Sequence, residues 1–263
     1  MADARVLIVI PTLGSRLDYL DRSLASIRAQ SVPVDVTIVA PLDNSEIPTL
    51  ASRWDARLMA DPGSLAAAIN LGVSSAQPHH EFVNWLGDDD SLEPETLHLT
   101  LHALDTHPAC VVAYGACRYV DGSDRELWVS KAGSWAPRIL KWGPDLIPQP
   151  GMLVRRDAWQ RVGGLDEAMR FAFDLDLLLK LQRLGPFIDV GAVVSQFRWH
   201  EDSLTVGDRS TSLHESEIAR RRSLGPIARR LAWTWEPPVR LATRLAAREV
   251  SRRARRVMQG SER

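Results

Sequence analysis

The sequence predicts one α/β domain over residues 1–217 and a basic helical tail over 218–263. Three observations lead there. Arg5-Val6-Leu7-Ile8-Val9-Ile10 is a continuous, largely β-branched run ended by Pro11-Thr12, the pattern of a strand buried on both faces of a parallel sheet. An amphipathic stretch at 16–30 and a second apolar run at 34–39 follow it, which makes a βαβ unit. Finally, 13 Arg against 3 Glu leave residues 218–263 at +10 and the preceding 217 residues at −11, although the whole chain carries only −1.

At 263 residues, 45% hydrophobic and 25% charged, the chain has the size and composition of a soluble domain with an appendage. No stretch reaches the roughly 20 apolar residues of a membrane span, and the run Val6–Ile10, broken by Pro11, is too short for a signal peptide. Cys110 and Cys117 occur without metal-type spacing, so a reducing, cytoplasmic setting without structural zinc is expected.

The elements follow in order. The first strand ends at Pro11-Thr12. Leu17, Leu20, Leu24, Ala25 and Ile27 give residues 16–30 their helical face. The second strand exits into Ala40-Pro41-Leu42-Asp43-Asn44-Ser45, on the edge where the ligand crevice of such a unit lies. Residues 64–76 form a helix that contains Asn70 and Gly72, two poor mid-helix choices that mark close packing or a ligand contact. Glu81 to Leu86 reads as a buried strand stopping on Asp88-Asp89-Asp90. Three adjacent carboxylates repel one another and suit a hard cation with oxygen ligands. The same residues would also serve a solvated turn in which Asp90 or Ser91 caps the next helix. A helix at 93–105, a strand at 110–119 and a turn at Val120–Ser123 follow, with both cysteines as small core residues. Lys131–Pro150 is rich in Trp, Pro and Gly and reads as an irregular loop over a site. A strand at 151–154, a helix at 156–162 stopped by Gly163-Gly164, an apolar helix at 173–184 and a strand at 187–197 complete the domain.

In order along residues 5–206, these motifs resemble those of inverting family-2 glycosyltransferases of the GT-A type. Ile10-Pro11-Thr12 resembles the opening strand and nucleoside-side turn. Gly63 through Asn70 and Gly72, with Trp85-Leu86 and the acidic triplet, resembles the helix and metal-site block. Pro148-Gln149-Pro150-Gly151 and Val162 through Glu167 resemble the acceptor-side block. Phe173-Asp174-Leu175-Asp176-Leu177, with Phe197-Arg198-Trp199-His200 and Ser203-Leu204-Thr205, resembles the base helix and last strand.

The resemblance implies one Rossmann-like domain with a mixed central sheet, a nucleotide-diphosphate sugar donor, and a saccharide, lipid-linked or small-molecule acceptor. It assigns Asp90 and His200 to a Mn²⁺ or Mg²⁺ ion, and Pro11, Thr12, Asp43, Asn70, Asp88 and Asp89 to the donor. Asp174 becomes the general base. His200 read alone is equally a hydrogen-bonded histidine at a strand end. Where the family carries an acidic pair after its second strand, Ala40-Pro41 stand here, with Asp43 the nearest acid, so base and sugar stay unassigned.

In the tail, Arg240, Arg244, Arg248, Arg252 and Arg256 recur four apart beyond Trp233 and Trp235. That pattern fits an anionic membrane surface, and also a helix packed on the acidic body or in a homodimer. No reading module for nucleic acid accompanies the charge. Two other functions use the same residues. Leu13-Gly14-Ser15-Arg16-Leu17 suggests a sugar nucleotidyltransferase, though without the longer Gly-rich loop and Lys that cradle a triphosphate. A non-catalytic nucleotide-sugar-binding or scaffold relative would need neither Asp90 nor Asp174.

Overall fold

The computed structural model describes residues 3–130, 133–143, 145–199, 209–231, 233–234 and 236–239. Its first half is β1 (Val6–Pro11), α1 (Leu17–Arg28), β2 (Val34–Ala40), α2 (Glu46–Arg53), β3 (Arg57–Ala60), α3 (Leu65–Ser74), β4 (Phe82–Trp85) and β5 (Ser91–Leu92). There follow α4 (Thr96–Thr106), β6 (Val112–Val120), β7 (Glu126–Val129), α5 (Ala136–Ile139), β8 (Leu153–Arg155), α6 (Arg156–Val162), α7 (Phe173–Leu181) and β9 (Phe187–Arg198). Beyond them lie α8 (Arg209–Ser223) and α9 (Pro226–Arg230).

Among the described residues nine strands form one sheet in the order β3-β2-β1-β4-β8-β6-β9-β5, with β7 paired to β6. β1, β2, β3 and β4 run parallel, whereas β8 pairs antiparallel with both β4 and β6, so the sheet is mixed as expected. The alternation of a strand sends successive side chains to opposite faces. Val6, Ile8 and Ile10 accordingly pack with α1, α2 and α4, while Leu7 and Val9 pack with α3, α6 and α7. Gly72 is the reason α3 can lie so close to β1: a Cβ there would stand 2.3 Å from Val9 Cγ1. Both cysteines are buried and free.

Several expectations change. The 40–64 segment holds the helix α2 and the edge strand β3. Ser91 pairs with Gln196 in β5, and α4 starts after Glu95, so neither Asp90 nor Ser91 caps a helix. α8 runs through the division expected between 217 and 218, with Ala219 in the core. The tail arginines from Arg240 onward, and His200, lie outside the described residues.

Candidate active site

The parallel strands β1, β2 and β4 end on one edge of the sheet, where a βαβ fold leaves its ligand crevice. β1 delivers Pro11 and Thr12, both buried. The Thr12 hydroxyl donates to Asp88 Oδ2 and accepts the Gly14 N–H at 2.9 Å, so it joins the β1–α1 loop to the acidic triplet. On the other side of the triplet, Arg16 Nη1 stands 3.5 Å from Asp89 Oδ2.

Asp90 is 4% exposed, and its Oδ1 accepts the backbone N–H of Arg198 at 3.1 Å. Burial and the charge of Asp89 push its carboxyl well above the usual carboxylate range, the Arg198 N–H opposes them, and the Asp88 charge adds to the rise. Asp88 is raised by burial, against the pull of Thr12. A Cβ built on Gly87 would lie 2.8 Å from Asp90 Oδ2 and 3.2 Å from Asp89 Oδ1. The two carboxylates therefore converge on the one residue of the turn that leaves room between them. Crowded, desolvated carboxylate oxygens of this kind are the donor set that a hard divalent cation takes, so the residues fit such an ion.

The Arg198 side chain, 4% exposed, holds this loop in place. Its Nε donates to the Asp89 carbonyl at 3.3 Å, Nη1 to the Asp121 carbonyl at 2.9 Å and Nη2 to Asp124 Oδ1 at 2.5 Å. The guanidinium also lies over the Tyr19 ring at 4.5 Å.

Across the cleft, α7 begins directly under Trp85, whose ring lies 6.4 Å from that of Phe173 and 5.9 Å from that of Trp159. Gln149 Nε2 donates to the Trp85 carbonyl at 2.7 Å, which pins the acceptor-side block to the end of β4. Asp174 and Asp176 diverge as their helical spacing requires. Asp176 is 2% exposed, with Lys180 Nζ 2.6 Å from its Oδ2 at an angle that makes an ion pair rather than a hydrogen bond. Asp174 is half-buried, and desolvation raises its carboxyl to about 6 against the N–H of Leu175. Asp145, from the irregular loop, is pushed to about 7 by burial and by the charge of Asp174. The N–H of Ile147 and the charge of buried Arg220 oppose that rise. Two carboxyls thus stand together across the cleft from the triplet, each raised by burial.

Two residues expected at the donor, Asn70 and Asp43, are placed as follows. The Asn70 carboxamide is spent within the chain: Nδ2 donates to the Leu165 carbonyl and to Glu167 Oε1, and Oδ1 accepts the Leu165 N–H. It ties α3 to the Gly163–Leu165 turn. Asp43 is exposed on the β2–α2 loop, where Asn44 bonds to the Gly14 carbonyl instead. Sequence reasoning missed Asp145, the contact of Arg16 with Asp89 and the bracing role of Arg198. Only Arg198 left a signal, as a basic residue ending the last strand.

Among the described residues, the one group of three metal-type side chains with ligand atoms within 4.8 Å is Asp35, His79 and His80. It lies at the opposite end of β2 from the triplet. The Gln77 N–H donates to His80 Nδ1 at 2.8 Å, which leaves the proton on Nε2, where it is given to Asp35 Oδ2 at 2.8 Å. A cation at Nε2 would have to displace that proton. The trio therefore reads as a brace between β2 and the turn before β4.

The model of glycosyl transferase family 2 matches residues 7–162. Chondroitin synthase of Pasteurella multocida (strain Pm70) is 26% identical over 231 residues, 83% of this chain and 23% of that protein. Hyaluronan synthase of Pasteurella multocida is 27% identical over 213 residues, 76% of this chain and 21% of its own. The chain thus spans less than a quarter of the length of these curated relatives. Among solved structures, S. aureus TarS 1–349 in complex with UDP superposes with a TM-score of 0.62 at 15% identity, over 83% of this chain and 65% of that one. The mannosyltransferase PcManGT from Pyrobaculum calidifontis, in complex with GDP-Man and Mn²⁺, gives 0.55 at 18%, over 99% and 80%. Those likenesses carry the GT-A fold, and the family match, which covers more than half of the chain, carries the assignment: the chain belongs to glycosyl transferase family 2.

Proposed function

We propose that this glycosyltransferase moves a sugar from a nucleotide-diphosphate donor to an acceptor hydroxyl with inversion, in a metal-dependent reaction with Asp174 as general base. The convergence of Asp89 Oδ1 and Asp90 Oδ2 over Gly87 carries the reading. Asp89, Asp90 and, from the chain beyond Trp199, His200 would hold a Mn²⁺ or Mg²⁺ ion. Such an ion supplies positive charge to offset that developing on the departing diphosphate. Pro11 and Thr12 line the donor side, and Arg16 adds a cation beside the triplet.

Asp174 accepts the proton of the acceptor hydroxyl while its oxygen bonds to the anomeric carbon, and the bond from that carbon to the phosphate oxygen breaks on the opposite face. A carboxyl lifted to about 6 is a stronger base than one in water and is still ionised at neutral pH. TarS with UDP and PcManGT with GDP-Man and Mn²⁺ support a nucleotide-linked donor and a divalent ion. A thermal-shift panel of UDP, GDP and their sugars, with and without Mn²⁺, tests this. A rise in melting temperature that needs both nucleotide and Mn²⁺ is expected; no nucleotide response would remove the donor assignment.

We also propose that the tail attaches the protein to an anionic membrane. Leu231 and Trp233 are 50% and 73% exposed next to Arg229 and Arg230, while no helix among the described residues is long and apolar enough to cross a bilayer. Flotation with phosphatidylglycerol vesicles should recover the full chain, and Trp233→Ala should reduce the recovery. Absence of the full chain from the floating fraction would leave the tail as a packing element.

A further inference from the structure

We propose that Glu215 is a positioning residue for Asp174: from α8 its carboxylate clamps the amides that lead into α7 and fixes where the base-bearing first turn stands. The inference rests on the reading of Asp174 as the base.

Helix α7 has no cap of its own. Ala172 occupies the cap position and offers no side-chain acceptor, and Asp174 follows two residues later. Unpaired amides at a helix start cost free energy and present a partial positive charge. Glu215 meets the cap amide of Ala172 and the two amides before it from 43 to 45 residues further along the chain, and sets a negative charge against the helix start. Its Oε1 accepts the Arg170 N–H at 3.0 Å, and its Oε2 accepts those of Phe171 at 2.7 Å and Ala172 at 3.0 Å. Burial would raise the Glu215 carboxyl, but these three N–H groups outweigh it and hold it below the usual range, so it is an anion at working pH.

The helix that brings Glu215 is itself anchored. Ala219, one turn on, sits in the core beside α7. Arg222 Nη1 pairs with Asp166 Oδ2 at 2.6 Å, and Arg183 Nη2 donates to the Arg222 carbonyl at 2.7 Å. α8 is therefore a strap along the base helix, lying wholly beyond residue 162 where the family model stops. Among the described residues, Asp145 from the loop feels the charges of Asp174 and of Arg220 from α8, Glu215 closes on the amides just before α7, and the Asp176–Lys180 pair lies on α7 itself. From α6 the packing residues are Ala158 and Trp159.

The test uses the full chain with ¹³C-labelled Asp carboxyls and three variants. Glu215→Gln removes the charge and keeps one acceptor oxygen; Glu215→Ala removes the clamp. Arg222→Ala loosens the same strap and keeps the clamp. Hydrogen exchange at residues 170–176 should accelerate at least tenfold in Glu215→Ala, less in Glu215→Gln, and hardly in Arg222→Ala. With the anion gone, the positive start of α7 acts on Asp174 unopposed. The Asp174 titration midpoint should then fall by roughly half a pH unit in Glu215→Gln, and stay put in Arg222→Ala. Unchanged exchange and midpoint in both Glu215 variants would overturn the proposal, as would equal effects from Arg222→Ala. None of these readouts requires turnover. If Asp174→Asn itself kept full turnover, the base assignment would fail while the clamp stood.

Discussion

Arg198→Met should cost the fold about 3 kcal/mol and loosen the acidic loop with it. The magnitude follows from what the guanidinium touches. Two half-buried carbonyls, Asp89 and Asp121, lose a charged donor, at about 1 kcal/mol each once the methionine fills the space. The contact with Asp124 counts for less, since that carboxylate is 49% exposed, recovers water and keeps Arg22 as a partner. Loss of the cation over Tyr19 adds roughly 0.5–1 kcal/mol. For a domain of this size about 3 kcal/mol lowers the melting temperature by roughly 6–12 °C. Calorimetric scans at neutral pH measure it, with Mn²⁺-supported nucleotide titration on the same samples. The nucleotide affinity should drop as well, because the Asp89 main chain is no longer braced. A fall below 2 °C with unchanged nucleotide affinity would refute the view that Arg198 holds the triplet.

Asp174→Asn should leave donor affinity near normal and lower turnover by roughly 10² to 10⁴. Asp176→Asn, which removes a buried partner of Lys180, should act through stability. In the native enzyme turnover should fall as pH drops through about 6 to 7, where Asp174 and Asp145 take up protons; a flat profile there would contradict the base assignment. His80 is shifted below its ordinary value, mainly by burial, so the folded state favours its neutral form. Its contribution is complete above the unfolded value of about 6.5 and declines as pH falls below it. Buried Asp145 and Asp174 act in the opposite sense over that window, so the comparison needs His80→Asn, which keeps an acceptor for the Gln77 N–H. The gap in melting temperature between native and variant should narrow from pH 7.5 to 5.5. A constant gap would exclude the titration of His80.

Much of the donor half is legible in the sequence, for a local reason. The runs Val6–Ile10 and Phe82–Trp85 are apolar because both faces of those strands are covered, and an abrupt change to Asp88-Asp89-Asp90 marks the sheet edge. The helix α2 hides behind its length of eight residues and Pro48, and β3 is a short, partly exposed edge strand. Asn70 is legible as special but not as to purpose, since its partners Leu165 and Glu167 lie 95 and 97 residues away. Asp145 and Glu215 give no signal: one lies in a loop without periodicity, the other in a charged tail helix. Each acquires its role from α7, which only the tertiary fold brings beside it.

Calorimetric titration of UDP and GDP into the native chain and into Asp90→Asn, with Mn²⁺ and with a chelator, tests the central claim most directly. Asparagine keeps the shape of Asp90 and removes the charge that a hard cation requires. For the native chain we predict binding of at least one nucleotide that strengthens tenfold or more with Mn²⁺, and for Asp90→Asn the loss of that enhancement with the fold intact. Equal Mn²⁺ enhancement in both, or equal affinity of the native chain with Mn²⁺ and with chelator, would contradict it.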